Sequence, residues 1–186
     1  MATTGSNTST AWDRQIKNRN FLSPIGFKFN LSKAPKVDFF STSANIPSID
    51  LGVAVQPTYL KDIPIPGDKL GFDDFRLTFN IDENLENYTV IQNWMRGLGY
   101  PESIYEYSEW KNSDPDNPGQ DPNVSDGSLI IYNSNFQPST IVKFQGMFPV
   151  SLSEIDFDAT QTDVQYAVAT VTFKYVLYKI FNYEPG

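Results

Sequence analysis

Apolar and polar residues alternate strictly along two segments of the chain, residues 25–32 and 73–82. In the second segment, Phe75, Leu77, Phe79 and Ile81 occupy every other position. A period of two is typical of a β-strand with one buried face and one wet face. Further β-prone runs occur at residues 36–45, 128–132, 140–148, 155–158 and 166–177. We expect the last of these runs to be the longest strand, because its alternation is sustained furthest.

The spacing of the apolar residues changes once, directly after residue 82. Apolar residues then recur at helical spacing, namely Tyr88, Ile91, Trp94 or Met95, and Leu98. Asn84 is placed to be the N-cap, and Gly97, Gly99 and Pro101 end the pattern. The sequence therefore predicts a single helix.

Two short β-prone pieces, residues 51–56 and 59–65, are separated by Pro57 and Thr58. Pro64 and Pro66 lie in or beside the second piece. Because proline cannot donate a hydrogen bond to a β-ladder, we predict a protruding hairpin or an edge rather than a central strand.

Seven or more strands, one helix and no βαβ rhythm indicate a mainly β fold, an antiparallel β-sandwich or barrel with one flanking α-helix. We expect one domain over residues 21–186 and a flexible polar arm over residues 1–20. The arm is either a frayed terminus or a segment that orders against a neighbouring copy through Trp12. The Pro/Asp/Asn/Gly tract at residues 112–127 predicts a long acidic surface loop.

Composition narrows the possible chemistry. The 186 residues include 14 Lys+Arg and 22 Asp+Glu, a formal charge of −8, with no Cys and no His. Thiolate sites, Cys nucleophiles, the Ser-His-Asp triad and most transition-metal sites are thereby excluded. The acidic balance argues against a surface that grips nucleic-acid phosphates. A soluble protein made in a reducing compartment is the simplest expectation.

Candidate sites for ions, substrates or ligands are weak. An Asp/Asn cluster between Asp114 and Asp126 fails the calcium-loop template, because Pro118 stands at a ligand position. A glycosidase needs two carboxylates that face one cleft. In the pairs Asp73–Asp74 and Asp82–Glu83 the two residues are adjacent along the chain, so their side chains should point to opposite faces and not converge on one site. The aromatic stretch Tyr100, Tyr105, Tyr107 and Trp110 suits either a ligand shelf or a protein contact. We predict no catalytic residue, no cofactor and no metal.

A longer block of motifs resembles a known family. The hairpin Lys61-Asp62-Ile63-Pro64-Ile65 is followed by Pro66-Gly67-Asp68-Lys69, the strand from Phe72 to Phe79, and Asp82-Glu83-Asn84 opening a helix with Trp94. Near the other end come Gly146-Met147-Phe148-Pro149-Val150 and Ser153-Glu154-Ile155-Asp156-Phe157. This arrangement resembles the tail tube protein of contractile-tailed, T-even-like bacteriophages, which is related to the ring-forming tube proteins of type VI secretion. The loop at residues 112–127 departs from the family by its length.

The resemblance implies a structural virion protein that forms homo-hexameric rings, stacked helically into a tube inside a contractile sheath. Its implied partners are itself, the sheath, and the baseplate and tail terminator proteins. DNA would pass through the bore without specific binding, and the protein would reside in the phage tail after assembly in the host cytoplasm. Alternatives are a baseplate tube-initiator, a tube protein of another contractile injection system, and, more distantly, a carbohydrate-binding β-sandwich or a hydrolase.

Two sets of residues are candidates for contacts within such a tube. The first is the hairpin, as an arm to an adjacent subunit or ring: Thr58, Tyr59, Leu60, Lys61, Asp62, Ile63 and Pro64. The second comprises wet strand faces that are candidates to line the bore: Asp74, Arg76, Thr78, Asn80, Asp82, Thr170, Thr172 and Lys174. Negative charge displayed inward would repel phosphates and let DNA slide.

Overall fold

The computed structural model describes residues 21–33, 41–103, 105–112, 123–157, 160 and 166–183. Within these ranges the fold is mainly β and antiparallel, which confirms the predicted class. Nine strands and two helices follow one another along this part of the chain. They are β1 (Phe27–Leu31), β2 (Ser41–Ala44), β3 (Ile49–Gln56), β4 (Ile63–Phe72), β5 (Phe75–Asn80), α1 (Glu86–Gly99), α2 (Tyr105–Asn112), β6 (Ser125–Tyr132), β7 (Pro138–Leu152), β8 (Val168–Lys174) and β9 (Leu177–Asn182).

Seven strands form one sheet and the remaining two form a separate ribbon. The order in the large sheet is β1-β6-β7-β8-β5-β2, and β9 pairs with β7 beside this path. Strands β3 and β4 pair only with each other. The predicted hairpin is therefore an antiparallel two-stranded ribbon, and its second strand is an edge that tolerates Pro64 and Pro66.

Strand β7 turns a corner at Gly146 and carries the sheet around the core. Its first part pairs with β9 from Thr140 to Gln145, and its second part pairs with β8 from Phe148 to Leu152. Gly146 has φ of +63°, a left-handed conformation that side chains with a Cβ rarely adopt. The longest strand in the described part of the chain is thus β7, with 15 residues.

The prediction of one long strand over residues 166–177 is wrong. The chain leaves the ladder at Tyr175 and Val176, opposite the corner of β7, so the run is divided between β8 and β9. The inward positions change from odd-numbered residues in β8 to Tyr178 in β9, so the break also reverses the alternation. The predicted short strand at residues 155–158 is also wrong for residues 155–157, which lie outside any strand.

The core lies between the two halves of the bent sheet. Phe29, Leu129, Val142 and Phe144 come from one half, and β5 with β8 supplies the other half. The side chains buried from β5 and β8 are Phe75, Leu77, Phe79, Ala169, Val171 and Phe173. All of them follow the period of two seen in the sequence.

Helix α1 covers one opening of this core with Ile91 and Trp94, which are fully buried. The predicted N-cap at Asn84 is wrong: Leu85 is the cap residue, and it makes no side-chain capping bond. Asp82 serves the helix start instead, because its Oδ1 accepts a hydrogen bond from the Asn87 backbone N–H at 3.2 Å. The helix ends at Gly99, as the glycines and proline predicted.

The short helix α2 was not predicted. Its sequence, YEYSEWKN, lacks an apolar stripe, and an ion pair links its first turn to α1. Arg96 Nη2 lies 2.6 Å from Glu106 Oε1 and 3.1 Å from Glu102 Oε1. The hydrogen bond from Arg96 lowers the pKa of Glu106 below its usual value.

Some predicted features lie outside the described residues: the arm at 1–20 with Trp12, residues 36–40 of the run at 36–45, and residues 113–122 of the acidic loop at 112–127. The prediction of a loop is wrong for residues 125–127, which begin β6. No helix in the described ranges has the length and apolar character needed to cross a bilayer. Within the same ranges, no group of three or more His, Cys, Asp or Glu side chains is arranged to hold a metal ion.

Candidate assembly surfaces

The β3–β4 hairpin exposes an almost entirely apolar face. Val53 lies opposite Pro66, and Val55 lies opposite Pro64. The apolar side chains of this face that point into solvent include Ile49, Leu51, Val53, Val55 and Leu70. An isolated two-stranded hairpin is at best marginally stable in water, so such a face normally lies against another surface.

A bulge near the middle of the hairpin requires glycine. The pairing passes from Leu51–Leu70 to Val53–Pro66, with more residues on β4 than on β3. A Cβ added at Gly67 would lie only 2.2 Å from the Gly52 carbonyl oxygen. The Gly67-Asp68-Lys69 segment is therefore a defined irregularity of the ribbon, and no P-loop-like phosphate cradle.

The seven predicted contact residues, Thr58 to Pro64, form the tip of the hairpin and the start of β4. Tyr59 is fully exposed and Leu60 is 91% exposed. The Lys61 backbone N–H donates to Thr58 Oγ1 at 3.3 Å, which closes the turn between the strands. The tip thus has a defined local shape, with its two largest apolar side chains in solvent.

The base of the hairpin is anchored to the body by aromatic residues. Phe72 packs against Tyr178 with ring centroids 5.7 Å apart. Tyr178 donates its hydroxyl to the Pro47 carbonyl at 3.0 Å, and Tyr175 donates to the Asp73 carbonyl at 2.8 Å. Burial, together with the neighbouring Tyr178, Asp73 and Asp74, raises the pKa of Tyr175 to about 12.

The predicted bore residues on β5 and β8 lie on one continuous wet face. Arg76 lies opposite Thr172, and Thr78 lies opposite Thr170 with their Oγ1 atoms 3.0 Å apart. At the edge of this face, Lys174 Nζ lies 2.9 Å from Asp74 Oδ1. The structure thus brings together six of the eight predicted residues as neighbours.

The other two, Asn80 and Asp82, lie where β5 leads into α1. The Asn80 carbonyl accepts a hydrogen bond from Asn87 Nδ2 at 2.8 Å, and Asp82 bonds the Asn87 backbone. Asn87 is completely buried, and sequence reasoning gave it no role.

A polar cleft of about 530 Å³ lies between the hairpin base and the β5–β8 face. Asn45 fixes one wall, because its Oδ1 accepts from the Arg76 N–H at 2.6 Å and its Nδ2 donates to the Asp74 carbonyl at 3.2 Å. The eight predicted bore residues carry two carboxylates and two cations, so this set does not display the acidic balance of the chain.

The other candidate sites form no catalytic arrangement in the described ranges. Asp73 accepts a hydrogen bond from Ser48 and Asp74 pairs with Lys174, so both carboxylates border the polar cleft but each is engaged by a different partner. Of the Asp/Asn cluster, residues 114–121 lie outside the described ranges, and Asp126 accepts from the Gly146 N–H at 3.1 Å. Tyr100 and Tyr105 are exposed, and neither lines the polar cleft beside the hairpin base.

The fold is similar to that of solved components of contractile injection systems. A chain in the cap of the anti-feeding prophage, described as its tube-terminating cap, matches with a TM-score of 0.57 and 17% identity, over 91% of this chain and 96% of that one. A chain in the sheath/tube terminator of an extracellular contractile injection system (PVC) matches with a TM-score of 0.56 and 15% identity, over 88% and 99%. A chain in the PVC sheath-tube complex matches with a TM-score of 0.53 and 16% identity, over 89% and 94%.

No protein-family model matches the sequence, and no curated protein matches it either. At identities of this size, the structural similarity establishes a shared fold. It covers most of this chain and nearly all of each matched chain, so the likeness concerns the whole domain.

Proposed function

We propose that this protein is a tube-wall subunit of a contractile injection apparatus, assembling through its β3–β4 hairpin into six-membered rings that stack into a tube. The observation that carries the proposal is the exposed apolar face of the hairpin. The fold shared with cap, terminator and sheath-tube components supports the same assignment. The function is then mechanical, and the partners are further copies, the sheath, the baseplate and a terminator.

The hairpin argues for assembly because the body of the protein does not need it. Neither β3 nor β4 contributes a residue to the buried core. Each apolar side chain on the ribbon gains free energy only when a second molecule removes it from water. The anchored base holds the arm in position before it binds, which lowers the entropy lost on association.

Deletion of residues 59–63 tests the role of the hairpin tip. We expect the deleted chain to fold, with an unchanged far-UV CD spectrum, and to remain monomeric in sedimentation velocity. Tyr105→Ala, which removes an exposed aromatic residue outside the hairpin, is the matched control and should assemble normally. Rings or filaments formed by the deleted chain at wild-type concentrations would refute this role.

The number of rings that stack distinguishes a tube subunit from a cap or a baseplate initiator. Subunits of the wall should stack without limit, so electron microscopy should show hollow filaments. A terminator or initiator should stop at one or two rings, because one ring face is made for a different protein. The similarity to a tube-terminating cap makes this second role the principal alternative.

We further propose that the β5–β8 face lines the bore and that DNA passes along it without binding. The equal numbers of acidic and basic residues in the eight-residue set give no net attraction for phosphate, so the face would not retain a duplex. Assembled tubes should release labelled duplex DNA at physiological salt. Tight retention that weakens steeply with salt would contradict this assignment.

A further inference from the structure

One outer face of the large sheet carries three lysines. In the antiparallel register, Asn30, Ser128, Lys143 and Lys179 form a row across β1, β6, β7 and β9. Lys28 stands in the next row, two residues along β1. The core side chains alternate to the opposite side of the same strands. We name Lys28, Lys143 and Lys179, all exposed, the lysine face.

Like charges lie side by side on the lysine face. Lys143 and Lys179 lie directly opposite each other, and like charges in that position repel. Across the described ranges, none of the three ammonium groups lies within ion-pair distance of a carboxylate. Lys143 Nζ lies 5.5 Å from the Phe181 ring centroid. Asp126 borders the same shallow cleft as Lys143 without forming an ion pair with it.

A second surface has the opposite charge. Glu83, Glu154 and Asp156 are exposed, and we name them the acidic end. Tyr88 donates its hydroxyl to the Ser153 carbonyl at 3.2 Å, which holds the segment after β7 beside the start of α1. Neither residues 77–95 nor residues 144–173 include a Lys or Arg. Carboxylates thus dominate this end of the molecule.

The two surfaces are not paired with each other within one chain. In the described ranges, none of the lysines of the lysine face lies within ion-pair distance of a carboxylate of the acidic end. The lysine face belongs to the part of the sheet formed by β1, β6, β7 and β9, whereas Glu154 and Asp156 follow the end of β7, beyond its corner at Gly146. A second copy of the chain offers the complementary charge.

We infer that the acidic end of one copy docks on the lysine face of the next copy. The inference rests on the proposed ring-forming function and specifies which surfaces meet. Because the two surfaces differ, the contact is head-to-tail, and a head-to-tail contact with a suitable rotation closes into a ring. The hairpin supplies apolar area to assembly, and this charge pair fixes orientation and raises the association rate.

Two charge-reversal variants test the inference, and mixing them should restore assembly. One variant replaces the three lysines of the lysine face by Glu, and a second replaces the three carboxylates of the acidic end by Lys. Each variant alone should need at least tenfold more protein to assemble, as measured by sedimentation and electron microscopy. A one-to-one mixture should assemble again, because every contact between unlike variants pairs opposite charges.

A milder pair of substitutions covers the possibility that a triple variant does not fold. Lys143→Gln with Lys179→Gln removes the opposed like charges, so the melting temperature of the subunit should rise or stay constant. The same double variant should assemble less well and with a weaker dependence on salt. Improved stability together with impaired assembly is a combination that a purely structural role for these lysines would not produce.

Three results would overturn the inference. Wild-type assembly by the folded reversal variants is the first, and failure of the mixture to recover is the second. The third is unaltered assembly combined with lost binding of a 30-nucleotide DNA probe, which would assign the lysines to a polyanion. If the hairpin deletion blocks assembly and lysine reversal does not, the proposed function stands and only this inference fails. If the wild-type chain never assembles, both fail.

Discussion

Replacement of Val53 and Val55 by Thr separates folding from assembly within the hairpin. Threonine has nearly the same shape as valine and an equally good β-propensity, so the ribbon should be retained. Val53 is 66% exposed and Val55 is 60% exposed in the single chain. A hydroxyl in place of a methyl at these positions therefore changes little until a partner covers the face.

The magnitude follows from the burial that assembly would add. Full burial of a Val, Leu or Ile side chain is worth about 1.5–3 kcal/mol, so a side chain that is about 60% exposed gains roughly 1–2 kcal/mol when covered. Replacing two methyl groups by hydroxyls that must lose water should cost assembly about 2–3 kcal/mol in total. At about 1.4 kcal/mol per factor of ten, this raises the assembly concentration roughly 30- to 140-fold.

Sedimentation across a dilution series gives the assembly concentration, and calorimetry gives the melting temperature of the subunit. We expect the first to rise and the second to change by no more than about 2 °C, the effect of about 0.5 kcal/mol at this chain length. Val168→Thr with Val176→Thr, two exposed valines outside the hairpin, is the matched control. Equal assembly by both double variants would refute the reasoning.

Two further substitutions test the body of the fold. Gly146→Ala introduces a Cβ at φ +63° and 2.9 Å from Val176 Cγ2, so the free energy of unfolding should fall by about 1–3 kcal/mol. Calorimetry should show a melting temperature roughly 3–10 °C lower. An unchanged melting temperature would contradict a left-handed conformation of Gly146 at the corner of β7. Tyr175→Phe should cost about 1 kcal/mol at neutral pH by removing the bond to Asp73. Because the folded protein holds the Tyr175 pKa near 12, above the unfolded value near 10, the wild-type advantage is complete below pH 10 and shrinks as pH rises toward 12. Urea unfolding at pH 8 and at pH 11 measures that loss, and a constant difference between the two proteins would count against it.

Strands with a strict period of two were predictable because burial alone sets their pattern. The segment at residues 73–82 became β5 with Phe75, Leu77 and Phe79 buried. The hairpin was predictable from its prolines, which exclude a central strand. The division of residues 166–177 was not, because Tyr175 and Val176 leave the ladder only where β7 bends at Gly146, far away in sequence.

Sequence rules for helix caps and helix stripes failed where residues outside the expected positions make the stabilising contact. A side chain at Asn84 would have capped α1, yet Asp82 and the buried Asn87 bond each other's backbone there. Helix α2 was missed because its sequence has no apolar stripe, and its ion pair with Arg96 of α1 is a contact that spacing does not reveal. In the candidate site, the sequence identified the exposed positions of β5 and β8, whereas Asn45 acts through backbone contacts that no spacing reveals.

Folding and assembly can be measured separately here because different residues carry them. The buried core is complete without β3 and β4, so substitutions on the outer surface of the hairpin leave the main source of stability intact. Tyr175 and Tyr178 bond the backbone on either side of the hairpin, so both ends of the arm are tied to the body. An arm whose ends are fixed on an independently stable body limits the angles at which copies can join, and a fixed angle between copies is what lets a head-to-tail contact close into a ring.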